Sequence, residues 1–168
     1  MTAPRYSLFH RLMHHISSSR SGAWFFARTL PMQDRLVLKL SGGRWTVTGL
    51  LAGLPVVWVT STGAKSGRPR TSPLLAIRSD RADADFAVIG TNFGQQHHPA
   101  WYYNLKANPR ATCTLQGHTG SYAVHEASGA EYERYWQRAE AVYRGYPLYK
   151  QRVRQRDIPM FVMTPQAG

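Results

Sequence analysis

The sequence predicts a mainly β, α+β protein: an antiparallel barrel with helices inserted and an N-terminal helical extension. Several short apolar runs are separated by turn residues, which suits strands joined by hairpins. A Gly-rich loop lies between two such runs, so it joins strand to strand and excludes a dinucleotide-binding strand-to-helix turn. Helical periodicity occurs in a few separate segments and does not alternate regularly with strands, which excludes a doubly wound parallel sheet.

In chain order, Leu8, Phe9, Leu12, Met13 and Ile16 recur at helical spacing, with His10, Arg11, His14 and His15 opposite them. This amphipathic helix suits docking on the domain or contact with anionic lipid. His10 and His14 stand four apart, but with no carboxylate nearby they read as solvated rather than metal-bound. Residues 34–40 form a second short helix and 41–49 a polar connector. Residues 1–49 are therefore an extension, and 50–168 the compact domain.

Strands are expected at 55–60, 70–77, 86–90, 111–116, 120–125 and 158–163. The segment PAWYYNLKANP has a proline at the first helical turn and ends at Asn108-Pro109, which predicts a short helix. Tyr132, Tyr135, Trp136, Ala139 and Tyr143 mark one face of another helix. Pro147 breaks or restarts it before Tyr149.

Composition narrows the function. The chain has 168 residues and 43% hydrophobic content, enough for one core. Lys and Arg total 21 against 9 Asp and Glu, a formal charge of +12. No Asp or Glu occurs from Arg35 to Ser79 or from Phe86 to His125, so the positive potential is focused where the loop and strands lie. Lys and Arg do not cluster along one helix, so nucleic acid is not the expected partner. Cys113 stands alone, which rules out an internal disulfide or a multi-cysteine metal site and fits a reducing cytoplasm. No apolar stretch approaches the roughly 18 residues of a membrane span.

The chemistry centres on TGAKSGRPRTSP. Gly63 and Gly67 allow positive φ and close backbone approach, Lys65, Arg68 and Arg70 supply charge, and Ser66, Thr71 and Ser72 offer hydroxyl donors. The lysine precedes the second glycine and a strand follows, so this is not a Walker loop. An anion cradle and a solvated hairpin turn are both open on these residues alone. Hydrolytic chemistry has neither paired carboxylates nor a nucleophile elbow, and the adjacent His97 and His98 do not converge on a metal, so none is expected. Trp101, Tyr102, Tyr103, Tyr143, Tyr146 and Tyr149 suit stacking on a planar cofactor, and equally suit a packed aromatic face. A bound cofactor is the better source of reactivity.

The ordered set STGAKSGRPRTSPLL, GTNFG, HHPAWYYNLKANP and a tyrosine-rich segment before DIPMFVMTP resembles the deazaflavin-dependent nitroreductase and quinone reductase family. That resemblance implies a split, FMN-binding-like β-barrel. It implies coenzyme F-420, a deazaflavin with a phosphate and an oligoglutamate tail. Lys65, Ser66 and Arg70 would hold the phosphate and tail, with Ala64 and Gly67 keeping the backbone close. Thr71, Ser72, Pro73, Leu74, Leu75, Ile89, Gly90, Thr91, Asn92, Ala100 and Trp101 would border the ring. Tyr143, Tyr146 and Tyr149 would shape the acceptor site, with Tyr143 steadying negative charge and Thr91 touching the acceptor edge. The reaction implied is hydride transfer from the reduced cofactor to a quinone, enone or nitroaromatic compound in the cytoplasm, with peripheral contact at an anionic membrane as a further option. The alternatives are an FMN-dependent oxidoreductase on the same barrel and a non-catalytic deazaflavin- or lipid-binding protein.

Overall fold

The computed structural model describes residues 55–78, 85–143 and 145–166, with isolated positions between 16 and 37. The expected helices at 8–16 and 34–40 lie almost wholly outside the described residues. Seven strands form one antiparallel sheet: β1 (Val56–Thr62), β2 (Pro69–Leu75), β3 (Ile77–Arg78), β4 (Phe86–Ile89), β5 (Arg110–Leu115), β6 (His118–Glu126) and β7 (Met160–Pro165). Helices α1 (Ala100–Ala107), α2 (Gly129–Val142) and α3 (Gly145–Arg152) are inserted between strands.

The sheet order is β2-β1-β5-β6-β7-β4-β3, which puts β2 and β3 at opposite margins. Yet Leu75 ends β2, Ile77 begins β3, and only Ala76 separates them. A single residue cannot cross a flat sheet of this width, so the sheet must curl until its margins meet. The Ala76 amide donates to the Pro55 carbonyl at 2.9 Å and fixes the crossing point. β2 lies beside β4 at the meeting line without ladder pairing, which leaves the barrel split there. The prolines explain why the split falls at β2: Pro69 and Pro73 have no N–H for a ladder, so the strand that carries them belongs at an edge.

Two expectations are corrected. The single strand expected at 70–77 is two strands on opposite margins, because chain continuity across Ala76 does not preserve sheet neighbours. The β5–β6 hairpin turns at Gln116 and Gly117, with φ of 53° and 86°, so β6 starts at His118 rather than at residue 120. Two consecutive positive φ values are the geometry that matches hairpin twist.

The continuous apolar run of β7 has a structural reason. Phe161 and Met163 pack with Val57, Val59, Phe86 and Leu105 inside the curl, while Met160 and Val162 pack with Trp136, Tyr135 and Ala139 beneath α2. Alternate residues feed two cores, so neither face reads as polar. Helix α1 closes the first core with Trp101 and Leu105. Pro99 lies just before α1 rather than inside its first turn, and Pro147 sits in the first turn of α3, where no intrahelical N–H is needed.

Candidate cofactor and acceptor site

The basic loop, residues 63–68, is a closed turn. The Gly63 amide donates to the Arg68 carbonyl at 2.9 Å and the Gly67 amide to the Gly63 carbonyl at 2.8 Å. Gly67 has a φ of 64°, a conformation that side chains resist. A Cβ on Gly63 would stand 2.7 Å from Ser66 Oγ and 3.0 Å from the Arg68 carbonyl, so the turn has no room for one.

This turn is pinned from below. Asn104, on α1 and only 9% exposed, accepts from the Ala64 amide through Oδ1 at 3.0 Å and donates through Nδ2 to Ser61 Oγ at 3.3 Å. It shares a helix face with Trp101 and Leu105, and a polar residue on that apolar stripe was the signal that could have exposed it. Above it, Ala64, Lys65, Ser66, Gly67, Arg68 and Arg70 are exposed. The ion pairs among the described residues join Lys106 to Glu126, His125 to Glu131 and Arg134 to Glu131, and involve none of the loop cations. Clustered cations without acidic partners, backed by hydroxyls, fit a phosphate and a polycarboxylate tail.

From the loop, β2 carries Thr71, Ser72, Pro73, Leu74 and Leu75 along the split. Thr71 is exposed and its hydroxyl meets that of Thr60 at 2.8 Å, while the following four are half-buried. Across the split, β4 ends at Ile89 and Gly90 approaches Pro159 closely: its amide donates to the Pro159 carbonyl at 2.8 Å, and a Cβ there would stand 2.7 Å from Pro159 Cγ. Thr91 is buried, and Asn92, Phe93 and Gly94 follow with φ of 47°, 55° and 81°. Three successive left-handed residues, one of them Phe, form a conformation that its surroundings must impose.

Those surroundings are Arg156 and Gln96, neither anticipated from sequence. The Arg156 guanidinium donates to the carbonyls of Gly90, Thr91, Gln95 and Asp157 at 3.0 Å. Its partial burial lowers its pKa from the ordinary arginine value. The Gln96 side chain donates to the Arg152 carbonyl at 2.7 Å and accepts from the Arg154 and Gln155 amides at 3.2 and 3.3 Å. Side-chain bonds to backbone have no periodic signature, so sequence offers no signal for them.

The aromatic candidates divide. Ala100 is exposed at the start of α1, while Trp101 turns into the barrel core, edge-on to Phe161 at 6.0 Å between ring centroids. Tyr143, Tyr146 and Tyr149 are buried, and the Tyr143 and Tyr149 hydroxyls meet at 3.0 Å. Burial pushes the Tyr149 phenol far above its ordinary range, and the adjoining Tyr143 adds to the shift. Leu75, Ile89 and Phe93 pack on this same cluster, so the margins of the split and the tyrosines converge. Phe93 meets Tyr149 edge-on at 6.3 Å.

Other groups are set aside by their surroundings. His98 stacks on Tyr102 at 4.1 Å, and its pKa is lowered by burial and by Arg156, which favours the neutral ring. The Cys113 thiol is pushed up to about 12 by burial, so it is no nucleophile at neutral pH. No group of three His, Cys, Asp or Glu suited to a metal occurs among the described residues.

Comparison with known proteins identifies the family to which this fold belongs. The family model described as F420H(2)-dependent quinone reductase matches residues 32–165. An F420H(2)-dependent quinone reductase of Mycobacterium tuberculosis is 30% identical over 113 residues, covering 66% of this chain and 73% of that protein. A solved F420-H2 dependent reductase, FDR-A, superposes with a TM-score of 0.58 at 33% identity over 65% of this chain and 93% of its own. The HutZ heme storage protein of Vibrio cholerae, at 12% identity, 67% of this chain, 82% of its own and a TM-score of 0.50, shares the fold alone. The chain belongs to the F420H(2)-dependent quinone reductase family, an oxidoreductase whose cofactor is coenzyme F-420 and whose hydride acceptor is a quinone.

Proposed function

We propose that the exposed basic turn binds the phosphate and oligoglutamate tail of F-420 through Lys65, Ser66 and Arg70, with Ala64 and Gly67 allowing close backbone approach. The observation that carries this reading is the Asn104 pin beneath an acid-free cationic loop. Thr71, Ser72, Pro73, Leu74 and Leu75 on one margin of the split, and Ile89, Gly90, Thr91 and Asn92 on the other, border the ring, with Ala100 and Trp101 behind it. The bound reduced deazaflavin supplies a hydride from its central ring, so the protein's work is orientation and exclusion of water.

Tyr143, Tyr146 and Tyr149 form the acceptor wall. Tyr143, whose hydroxyl meets that of Tyr149 at 3.0 Å, is the residue assigned to steady negative charge as it develops on the acceptor oxygen. Thr91 meets the same edge of the acceptor. Enones and nitroaromatic compounds are expected as further acceptors at this wall.

Residues 50–168 constitute the cofactor domain in this reading, and 1–49 form an extension that docks on it or meets lipid. No helix among the described residues is long and apolar enough to cross a membrane. The charge of +12 suits peripheral contact with an anionic inner membrane surface, which sedimentation with anionic and with neutral vesicles tests.

The deciding experiment is titration with F-420 and separately with FMN, following ligand fluorescence. Selective F-420 binding is expected, followed by oxidation of the reduced cofactor by a quinone. Preference for FMN would overturn the site assignment, and F-420 binding without turnover would leave a carrier protein instead.

A further inference from the structure

Gln96 and Arg156 bind two backbone segments to each other in opposite directions. Arg156, after α3, reaches back to the carbonyls of Gly90, Thr91 and Gln95. Gln96, after the left-handed turn, reaches forward to the Arg152 carbonyl and to the Arg154 and Gln155 amides. The first segment continues the margin of the split, and the second ends the helix that carries Tyr146 and Tyr149.

The Arg156 bonds are partly buried and so the harder for water to replace, while those of Gln96 lie at the surface. β4 stops at Ile89, and Asn92, Phe93 and Gly94 cannot continue a ladder with positive φ; the Thr91 carbonyl takes the Gly94 amide, and Arg156 adds a second donor there and serves the Gly90 and Gln95 carbonyls. A guanidinium fork serves several carbonyls at once, which a single ammonium cannot reproduce. Arg152 is the last residue of α3, where carbonyls lose intrahelical partners, and Gln96 satisfies that end. The two segments also pack directly: a Cβ on Gly94 would stand 3.1 Å from Arg152 Cδ and 3.6 Å from Tyr149 Cα.

We infer that Gln96 and Arg156 are positioning residues that hold the Gly90–Thr91 side of the site in register with the Tyr149 side, and so set the distance over which hydride passes. This rests on the proposed placement of cofactor and acceptor on those two sides. The basic turn hangs from Asn104 and α1 instead, so affinity for the phosphate and tail is set separately from this register.

Arg156→Lys and Gln96→Ala test the inference with three readouts. The first is the F-420 dissociation constant by fluorescence. The second is the single-turnover rate of reduced F-420 oxidation by a saturating water-soluble benzoquinone. The third is hydrogen exchange at the Gly94 and Gln95 amides, which close the turn onto the Thr91 and Asn92 carbonyls.

Both variants should bind F-420 within about threefold of wild type, transfer hydride roughly ten- to a hundredfold more slowly, and exchange faster at Gly94 and Gln95 but not at Gly67. An unchanged rate, unchanged exchange, or a loss of rate matched by an equal loss of F-420 affinity would each overturn it. If wild type binds no F-420, the underlying placement fails first, visibly, and this inference falls with it.

Discussion

Asn104→Ala separates what the basic turn does from what the fold does. The change deletes two hydrogen bonds, 3.0 Å from the Ala64 amide and 3.3 Å to Ser61 Oγ. Each contributes on the order of 0.5–1.5 kcal/mol net, and a buried group left without its partner costs about 1–3 kcal/mol. The Ala64 amide lies at the surface, where water replaces the lost acceptor, but Ser61 is 2% exposed and keeps only a 3.5 Å contact to the Arg70 carbonyl. A loss of roughly 2–3 kcal/mol of stability follows, most of it from Ser61. The turn should also lose its fixed position over α1; if about 1 kcal/mol of pinning is removed, F-420 binds about fivefold more weakly. Urea unfolding gives the first quantity and fluorescence titration the second. Should stability fall as expected while F-420 affinity stays at the wild-type value, the turn is not the anion site and the reasoning from its pin is wrong.

Other perturbations test neighbouring steps. Arg70→Ala removes an exposed cation and should leave stability within about 0.5 kcal/mol while weakening F-420 binding roughly tenfold or more, an effect that shrinks with added salt; unchanged affinity removes Arg70 from the site. Gly90→Ala places a methyl 2.7 Å from Pro159 Cγ and should cost about 1–3 kcal/mol, read as a fall in melting temperature of about 2–4 °C per kcal/mol. Stability should also fall with rising pH across the alkaline range. Burial raises Cys113 from 9.0 to about 12, and raises Tyr132, with smaller effects of Glu133 and Asp157, from 10.0 to about 12. The folded state holds these protons while the unfolded chain releases them, so the stabilisation is complete below about pH 9 and lost as pH climbs toward 12. Urea midpoints that stay level from pH 9 to 11 would contradict this.

The strands were legible as short apolar runs bounded by turn residues, as in β1, where Val57, Trp58 and Val59 are all buried. The turn was legible because Gly63 and Gly67 with unpaired cations are a local pattern. The break at Ala76 was not, since residues 70–77 are uniformly compatible with extended chain and only closure of the sheet assigns Leu75 and Ile77 to opposite margins. The tyrosines posed a different difficulty: helical spacing gives them one face but does not say whether a core or a ligand meets it. Here the distinction itself dissolves, because Leu75 and Ile89 from the split pack on the same cluster as Tyr143, Tyr146 and Tyr149. The proposed site, where two sheet margins meet, has no sequence neighbourhood of its own. Arg156 binds backbone far along the chain and carries no periodic pattern, whereas Asn104 left one trace, a polar residue on the apolar stripe of Trp101 and Leu105.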